Sequence, residues 1–268
     1  MTKKMGWLLS GLIVLYALYC LVFLFLQSVF IFRPQKLPAS FAFNPGVPFE
    51  EVRLKATDGT LLHGLLLQPD APGGTILYFH GNWKNLENYL PFTKKFTDLG
   101  YRVLIPDYRS FGKSKGRLTE RSFLGDTFYW YDYAISQCPA ENIYIYGRSL
   151  GTAAAAYLAA NRSCKQLILE TPFVNMYDIA RRYGMPFPNG NYFSFSLRND
   201  SALKAVTVPV LILHGTKDET VSIESGRKLK QYLKPGDRFV EIENGKHKNL
   251  NEFKEYHLAL ENFMKQVE

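Results

Sequence analysis

The stretch from Ile143 to Gly151, which reads IYIYGRSLG, decides the fold. Its first four residues are β-branched or aromatic, as in a buried strand, and the alanine-rich residues 152–160 that follow predict a helix. Gly147 and Gly151 flank Ser149 because a turn this sharp brings the strand and helix backbones too close for a Cβ. The pattern therefore predicts a strand, a tight strained turn and a helix, with the Ser149 hydroxyl exposed above the carboxyl end of a sheet.

Short apolar runs alternate with helical stretches from Thr75 onward, which predicts a mostly parallel sheet covered by helices on both faces. The runs are residues 76–79, 103–106, 143–146, 167–169, 210–213 and 239–242. Residues 51–56 and 61–68, joined by a turn at Asp58-Gly59, predict a hairpin that opens the domain. The chain of 268 residues, 47% of them hydrophobic, has room for one well-buried α/β domain.

The N-terminal segment predicts a membrane anchor. Residues 5–32 carry no charge, and the twenty mostly apolar residues 7–26 are enough to cross about 30 Å of hydrocarbon. The run is longer than that of a cleaved signal peptide, and no small-residue cleavage site ends it. We therefore expect an anchor at residues 1–32, a stiff proline-rich linker at 33–48 and the α/β domain at 49–268.

Charge gives less information about partners. The net charge of +8 without a basic run interleaved with aromatics disfavours nucleic acid, leaving attraction to anionic lipids or a solvated surface. Lys3, Lys4 and the amino terminus nearly balance Arg33 and Lys36 across the predicted span. This balance slightly favours a single-pass protein with its domain on the non-cytoplasmic side.

Two cysteines, Cys138 and Cys164, each come just before one of two strands expected to be neighbours. Parallel strands bring their starting ends together, so a disulfide between them is geometrically possible in an oxidising compartment. The alternative is a pair of unpaired thiols.

The residues just after each strand indicate chemistry, because ligands bind at the carboxyl ends of the strands in such a sheet. A serine hydroxyl needs a histidine base to attack an ester, and the histidine needs a carboxylate to fix its tautomer. Ser149, Asp218 and His247 follow strands in the order serine, acid, histidine. Glu170, at the end of the strand beside the turn, is an alternative acid, and Glu219 is a third.

The charge that develops on a substrate oxygen requires fixed backbone donors. The N–H of Leu150, at the start of the helix, is one candidate. The second should come from the loop after the first parallel strand, from Asn82 or alternatively from Trp83.

These motifs together resemble the α/β-hydrolase superfamily, and within it the membrane-anchored serine hydrolases related to depalmitoylating thioesterases and to lysophospholipid or monoacylglycerol lipases. The motifs are HGN at 80–82, DYRSFGKS at 107–114, GRSLG at 147–151, LETPF at 169–173 and HGTKD at 214–218. The resemblance implies an eight-stranded sheet that is antiparallel at its second strand, and it carries the triad onto Ser149, Asp218 and His247. Ser110 stands where many relatives have glycine, so the shape of that loop should differ.

The segment at about 173–205 is rich in aromatic residues and predicts a cap over the site, which suits an apolar acyl or aryl group. Alternatively, these rings pack the cap onto the domain. The sequence thus predicts a serine hydrolase that cleaves esters or thioesters, lipid-derived ones included, through a Ser149 acyl-enzyme without a metal or organic cofactor. A serine peptidase of the same fold and a catalytically silent membrane-anchored module are the alternatives.

A phosphate-binding loop is excluded, because the glycine required five residues before Gly112 is Asp107. The spacing of histidine and cysteine residues also fits no zinc site.

Overall fold

The structure, a computed structural model, describes residues 3–70 and 72–265. The first two residues of the predicted anchor, together with residue 71 and the last three of the predicted domain, lie outside the described residues. The strands are β1 (Arg33–Pro34), β2 (Phe49–Lys55), β3 (Leu61–Leu67), β4 (Thr75–Phe79), β5 (Trp83–Lys84), β6 (Arg102–Asp107), β7 (Ile143–Arg148), β8 (Gln166–Glu170), β9 (Val210–Gly215) and β10 (Arg238–Ile242). The α-helices are α1 (Lys3–Ile31), α2 (Leu90–Asp98), α3 (Glu120–Gln137), α4 (Gly151–Ala159), α5 (Met176–Arg182), α6 (Asn199–Leu203), α7 (Ile223–Lys228) and α8 (Lys254–Lys265).

Eight strands form one sheet in the order β10-β9-β8-β7-β4-β6-β3-β2. Neighbouring strands are parallel, except that β3 runs antiparallel to both β2 and β6. The predicted eight-stranded sheet with an antiparallel second strand is confirmed. Each predicted strand is present with its ends one or two residues away from the predicted bounds.

The sheet is covered on both faces because its strands alternate buried side chains between two hydrophobic cores. Along β7, Ile143 and Ile145 face the core that α3 and α4 cover, whereas Tyr144 and Tyr146 face the core that α2 and α8 cover. The small residues of α4, most of them alanines and nearly all buried, let this helix lie close against β7.

The segment 33–48, for which the sequence predicts a stiff proline-rich linker, lies against the domain. Arg33–Pro34 pairs in parallel with Trp83–Lys84, and Gln35 and Leu37 exchange backbone hydrogen bonds with Gly112 at 3.0 and 2.9 Å. Farther along, Phe43 is buried and its ring stacks on that of His63. The linker is therefore fixed along the surface of the domain, because its backbone groups find partners in two of the domain's loops.

Neither Cys138 nor Cys164 forms a disulfide, so the bridge that the sequence allowed is wrong. The Cys138 thiol donates a hydrogen bond to the Thr75 hydroxyl, whereas the Cys164 thiol points to the carbonyl oxygen of Gln166. Starting ends of neighbouring strands do meet here, but the two side chains have different partners. Burial raises the pKa of Cys164 to about 12, which leaves its thiol protonated and unreactive.

Candidate active site

Ser149 lies in the tight turn between β7 and α4. Its backbone φ of +52° is in the left-handed region, where a residue other than glycine is strained. A Cβ at Gly147 would lie 2.5 Å from the carbonyl oxygen of Gly151, and a Cβ at Gly151 would lie 2.1 Å from that of Phe79. Both distances are far below van der Waals contact with backbone atoms, so the turn requires glycine at both positions.

The structure brings Ser149, His247 and Asp218 together. The Nε2 atom of His247 lies 2.9 Å from Ser149 Oγ, and its Nδ1 atom lies 2.7 Å from Asp218 Oδ2. These distances are normal for hydrogen bonds that connect the hydroxyl, the imidazole and the carboxylate in sequence. The arrangement can move a proton from the serine hydroxyl to the imidazole while the carboxylate holds the other ring nitrogen.

The loop after β9 holds the Asp218 carboxylate in place. Asp218 Oδ1 accepts hydrogen bonds from the backbone N–H groups of Thr220 and Val221, at 2.9 and 2.8 Å. His214, at the end of β9, is buried beneath this loop, and its Nε2 lies 2.9 Å from the carbonyl oxygen of Val221. The same ring nitrogen lies 3.6 Å from Asp218 Oδ2, and burial lowers the pKa of His214, which favours the neutral imidazole beside this carboxylate.

The other three histidines bond elsewhere. His63 contacts Glu51 within the opening hairpin, and His80 lies beside the carbonyl oxygen of its neighbour Gly81. His257, on α8, contacts the carbonyl oxygen of Asn251.

Glu170 has different partners from those of an acid that orients a histidine. It is fully buried at the end of β8, in register with Arg148 at the end of β7. Its carboxylate lies 3.3 Å from Arg148 Nη1 and 3.9 Å from Lys95 Nζ, and it accepts hydrogen bonds from the hydroxyls of Tyr146 and Tyr256. Glu219, the third candidate, is exposed to solvent.

The network around Glu170 supports the histidine loop from below. Burial raises the pKa of this carboxyl, but the cations of Arg148 and Lys95 outweigh it and hold the pKa below its usual range. Arg148 Nη2 in turn donates to the carbonyl oxygens of His247 and Lys248, at 3.4 and 3.2 Å. The ion pair therefore connects the strand that carries Ser149 to the backbone that carries His247.

The sequence did not reveal this network. The one available signal was a charged residue, Arg148, inside an otherwise small and apolar turn. An arginine so close to two buried strands requires a buried anion, and Glu170 is the carboxylate on the neighbouring strand.

Leu150 and Asn82 both line the cleft that contains Ser149 and His247. Leu150 directly precedes α4, where backbone N–H groups are not paired within the helix. The N–H of Trp83, the alternative donor, donates a hydrogen bond to the hydroxyl oxygen of Tyr89, with an N–O distance of 3.4 Å. Trp83 is thus engaged in its own loop, which favours Asn82 as the second donor.

Asn82 is held by the segment where α1 ends. Its side-chain amide donates to the carbonyl oxygen of Ile31 at 2.8 Å, and its own carbonyl oxygen accepts from the N–H of Arg33 at 2.9 Å. Two polar groups of Asn82 are therefore fixed by the residues on either side of Phe32. No pattern in the sequence indicates that the end of the apolar helix borders the site.

The cleft at Ser149 has a volume of about 680 Å³ and a largely apolar wall. Helix α1 contributes Phe23, Phe30 and Ile31, and the cap contributes most of the remaining apolar residues. These are Phe173, Met176, Ile179, Ala180, Tyr183, Met185 and Phe193. Two exposed cations, Arg33 and Lys248, lie on the same wall.

The loop after β6 is structural. Asp107 Oδ1 accepts from the N–H of Leu86 at 2.8 Å, and the Ser114 hydroxyl donates to the carbonyl oxygen of Asp107 at 2.9 Å. Ser110 has a φ of +70°, which explains why glycine suits this position, and its hydroxyl donates to the carbonyl oxygen of Gly116. Serine is thus accommodated by a local hydrogen bond that glycine could not make. Among residues 3–70 and 72–265, no group of three His, Cys, Asp or Glu side chains is arranged to hold a metal ion.

Comparisons with known proteins agree with this fold. The family described as "Serine aminopeptidase, S33" matches residues 70–187. Lysophosphatidylserine lipase ABHD12 of Macaca fascicularis is 32% identical over 185 residues, which cover 61% of this chain and 46% of that protein. Protein ABHD12B of Homo sapiens is 32% identical over 174 residues, which cover 58% of this chain and 48% of that protein. The chain thus spans about half the length of these relatives.

Among solved structures, the Pyrococcus furiosus esterase PF2001 superposes with a TM-score of 0.71 at 19% identity, covering 88% of this chain and 98% of that one. At this identity the superposition bears on the fold alone. The sheet order, the strained serine turn and this superposition define the fold. The chain has the α/β-hydrolase fold, as its motifs predicted.

Proposed function

We propose that this protein is a serine hydrolase that cleaves carboxylic esters or thioesters through an acyl-enzyme at Ser149. The observation that carries the proposal is the hydrogen-bonded series of Ser149, His247 and Asp218, with distances of 2.9 and 2.7 Å, at the wall of an apolar cleft. Ser149 Oγ attacks the acyl carbon while His247 Nε2 takes the hydroxyl proton, and Asp218 stabilises the imidazolium. His247 then returns the proton to the leaving oxygen or sulfur, and water releases the acyl group by the same steps.

The backbone N–H groups of Leu150 and Asn82 stabilise the charge on the substrate oxygen in this mechanism. Both residues line the cleft beside Ser149. The hydrogen bonds that fix Asn82 to Ile31 and Arg33 support a donor that is preorganised before the substrate binds.

The substrate class follows from the two kinds of residue on the cleft wall. The apolar side chains of α1 and the cap suit a long acyl chain, and the cations Arg33 and Lys248 suit an acidic head group. A relative of this chain is named as a lipase for lysophosphatidylserine, a single-chain lipid with an acidic head group. We propose single-chain acyl lipids of this chemistry as substrates.

A peptidase is the second candidate, because the matching family is described as a serine aminopeptidase. An aminopeptidase must bind the ammonium group of its substrate, and a carboxylate normally does this. Of the described residues that line the cleft, none is Asp or Glu, whereas Arg33 and Lys248 would repel an ammonium group. The charges of the cleft therefore favour the lipid ester.

We propose that helix α1 anchors the protein in a membrane with the catalytic domain on the non-cytoplasmic side. The described residues include one helix, Met5–Ile31, long and apolar enough to cross a bilayer, and most of its side chains are exposed. The orientation is supported by Lys3 and Lys4, which precede the span together with the amino terminus. Protease added to intact cells or spheroplasts should therefore cut the domain, and protection of the domain that is lost on lysis would contradict this side.

The test of function combines labelling with substrate profiling. A fluorophosphonate probe should label the wild-type protein and leave Ser149→Ala unlabelled. Lysophospholipids with acidic head groups should be hydrolysed faster than those with phosphocholine, and Lys248→Gln should reduce this preference. Absence of labelling in folded wild-type protein would favour a catalytically silent module, and faster cleavage of aminoacyl p-nitroanilides would favour the peptidase.

A further inference from the structure

The cap packs against the membrane helix as well as on the domain. Phe187 and Phe193 form a hydrophobic cluster with Cys20 and Phe23 of α1. The ring of Phe23 lies 4.5 Å from that of Phe187 and 5.3 Å from that of Phe193, measured between centroids. The predicted packing of aromatic rings onto the domain thus holds for part of the cap only, because these two rings lie on α1.

Hydrogen bonds extend the interface between the cap and α1 on both sides of Cys20 and Phe23 along the helix. The hydroxyl of Tyr16 donates to the carbonyl oxygen of Pro186 at 2.7 Å, and the amide oxygen of Gln27 accepts from the N–H of Ser194 at 2.7 Å. From Tyr16 to Gln27 the helix rises about 16 Å. This is about half the thickness of a bilayer's hydrocarbon core.

The position of the predicted span places these contacts at membrane depth. If residues 7–26 cross the hydrocarbon, Tyr16 is near the middle and Gln27 is at the surface that faces the domain. The part of the cap that contacts Tyr16 and Phe23 then lies beside the helix within that leaflet.

The composition of the cap agrees with this depth. Residues 183–197 contain no charged residue, although several of their side chains are exposed, among them Tyr183 at 58%. Arg181 and Arg182 precede this segment and Arg198 follows it, and all three are exposed. Long cationic side chains at both ends of an uncharged segment can reach the lipid head groups while the segment itself enters the membrane.

The backbone of the segment also meets the requirement that polar groups in lipid be paired. Pro186 and Pro188 have no N–H to satisfy, and their carbonyl oxygens accept from the hydroxyls of Tyr16 and Tyr177, at 2.7 and 3.0 Å. The N–H of Phe187, between the two prolines, donates to the carbonyl oxygen of Met185 at 2.9 Å. The tip of the cap therefore carries few backbone groups that need water.

We propose that residues 183–193, the part of this segment that packs beside α1, insert into the leaflet that faces the domain, and that the active-site cleft opens directly into the hydrocarbon between α1 and the cap. Phe23 and Ile31 of α1 form one wall of this opening, and Met185 and Phe193 of the cap form the other. A lipid partner fits this surface because it continues the apolar surface of the membrane helix. The insertion does not depend on catalysis, whereas the lateral entry of an acyl chain rests on the proposed function.

The depth of the cap can be measured with a fluorescent label in the full chain. A single cysteine is introduced as Asn191→Cys, an exposed position in the segment, after Cys20, Cys138 and Cys164 are replaced by alanine or serine. The matched control is Glu141→Cys, which precedes β7 and lies at the opposite end of the strands from the cleft. Each protein is labelled with an NBD maleimide and reconstituted into phosphatidylcholine vesicles.

Phosphatidylcholine brominated in its acyl chains should quench the label at position 191 and leave the label at 141 unchanged, whereas aqueous iodide should do the reverse. Equal quenching of both labels by iodide would overturn the proposal. Fluorophosphonate labelling of each variant verifies that the site remains folded.

The route of the substrate is tested by adding charge without changing shape. The double variant Asn189→Asp and Asn191→Asp keeps the side-chain cap that Asn189 provides to the N–H of Asn191, since aspartate caps equally well. Neither residue lines the cleft. The control is Asn189→Ser with Asn191→Ser, which preserves a cap and adds no charge.

The aspartate pair should slow hydrolysis of p-nitrophenyl palmitate held in vesicles about tenfold or more, because carboxylates resist entering hydrocarbon. It should leave hydrolysis of water-soluble p-nitrophenyl acetate unchanged, and the serine pair should affect neither ester. Equal loss on both esters would overturn the lateral route. If the wild type cleaves neither ester and is not labelled by fluorophosphonate, the proposed function fails while the quenching result still decides the insertion.

Discussion

Asp218 and Glu170 are both carboxylates at the carboxyl ends of neighbouring strands, but their surroundings give them different tasks. Asp218 accepts from two backbone N–H groups and contacts the imidazole of His247. Glu170 instead neutralises the buried cations Arg148 and Lys95. Loss of the first should affect chemistry, and loss of the second should affect stability.

We therefore expect Asp218→Asn to lower kcat by about 10⁴-fold with little change in melting temperature, because the amide would favour the wrong tautomer of His247. Glu170→Gln should keep most of its kcat below its melting temperature. It should lower the free energy of unfolding by about 3–5 kcal/mol, because two buried cations would lose their anion. Steady-state kinetics with p-nitrophenyl butyrate and thermal melting in detergent micelles measure both effects. Full activity in Asp218→Asn would refute this assignment.

The side chain of Asn82 is a second residue-level contribution, because it positions the backbone N–H of the same residue. Asn82→Ala keeps the backbone N–H but removes the hydrogen bond to Ile31, so the donor should move relative to the substrate oxygen. We expect kcat to fall about tenfold with KM nearly unchanged, because this donor acts mainly in the transition state.

The control for Asn82 is Asn85→Ala. Asn85 is buried, and its side-chain amide also binds the linker that follows α1, donating to the carbonyl oxygen of Gln35 at 3.1 Å. This hydrogen bond does not involve Asn82. Its loss should lower stability and leave kcat unchanged. A similar fall of kcat in both variants would indicate a general loosening of the segment rather than a role for Asn82.

The roles of residues could be predicted from the sequence where those roles depend on local geometry. The turn at Ser149 could be predicted because Gly147 and Gly151 have no alternative in so sharp a turn. Arg148 and the side chain of Asn82 could not be assigned roles, because their partners Glu170 and Ile31 are brought to them by tertiary folding alone.

At the scale of elements, α2 carries a lysine into the core. Lys95 lies against Tyr256 of α8 and near Glu170 of β8, and burial lowers its pKa to about 7. In the unfolded chain its pKa is about 10.4. Between these values the folded protein binds one proton fewer than the unfolded chain, so stability contributed by Lys95 rises with pH above about 7.

We expect the free energy of unfolding to rise between pH 7 and pH 9 by up to about 1.4 kcal/mol per pH unit relative to Lys95→Met, which has no group to titrate. Below pH 7 the difference should be constant, because the lysine is protonated in both states. Lys94→Met is the matched control, since Lys94 is exposed on the same helix and pairs only with Asp98. Thermal melting from pH 6 to pH 9 measures this, and a Lys95→Met profile parallel to the wild type would contradict it.

The interiors of the elements were predictable and their attachments were not. The strands of the parallel sheet follow from short continuous apolar runs, because a strand covered on both faces buries its side chains at every position. The short strand β1 and the packing of the cap on α1 were missed, since Arg33–Pro34 has no strand pattern and aromatic residues such as Phe187 pack equally well on any apolar surface.

At the scale of the whole molecule, the membrane helix and the hydrolase domain are joined at several points rather than by a flexible linker. Phe32, which the sequence assigns to the anchor, is 3% exposed in the core of the domain. Its ring centroid lies 4.7 Å from that of Phe195 and 5.6 Å from that of Phe123. The end of α1 therefore has a fixed position relative to the sheet and to the cleft.

Because Phe32 belongs to the core of the domain, Phe32→Ala should destabilise the domain itself by about 3–5 kcal/mol, the usual result of removing a buried phenyl ring. Phe30→Ala is the control, since Phe30 is two residues earlier in the same helix and is 59% exposed. Its removal should leave the melting temperature of the domain in detergent micelles unchanged. An equal effect of the two substitutions, or none from Phe32→Ala, would mean that the helix and domain fold independently, and the cleft would then lose its fixed position beside the bilayer.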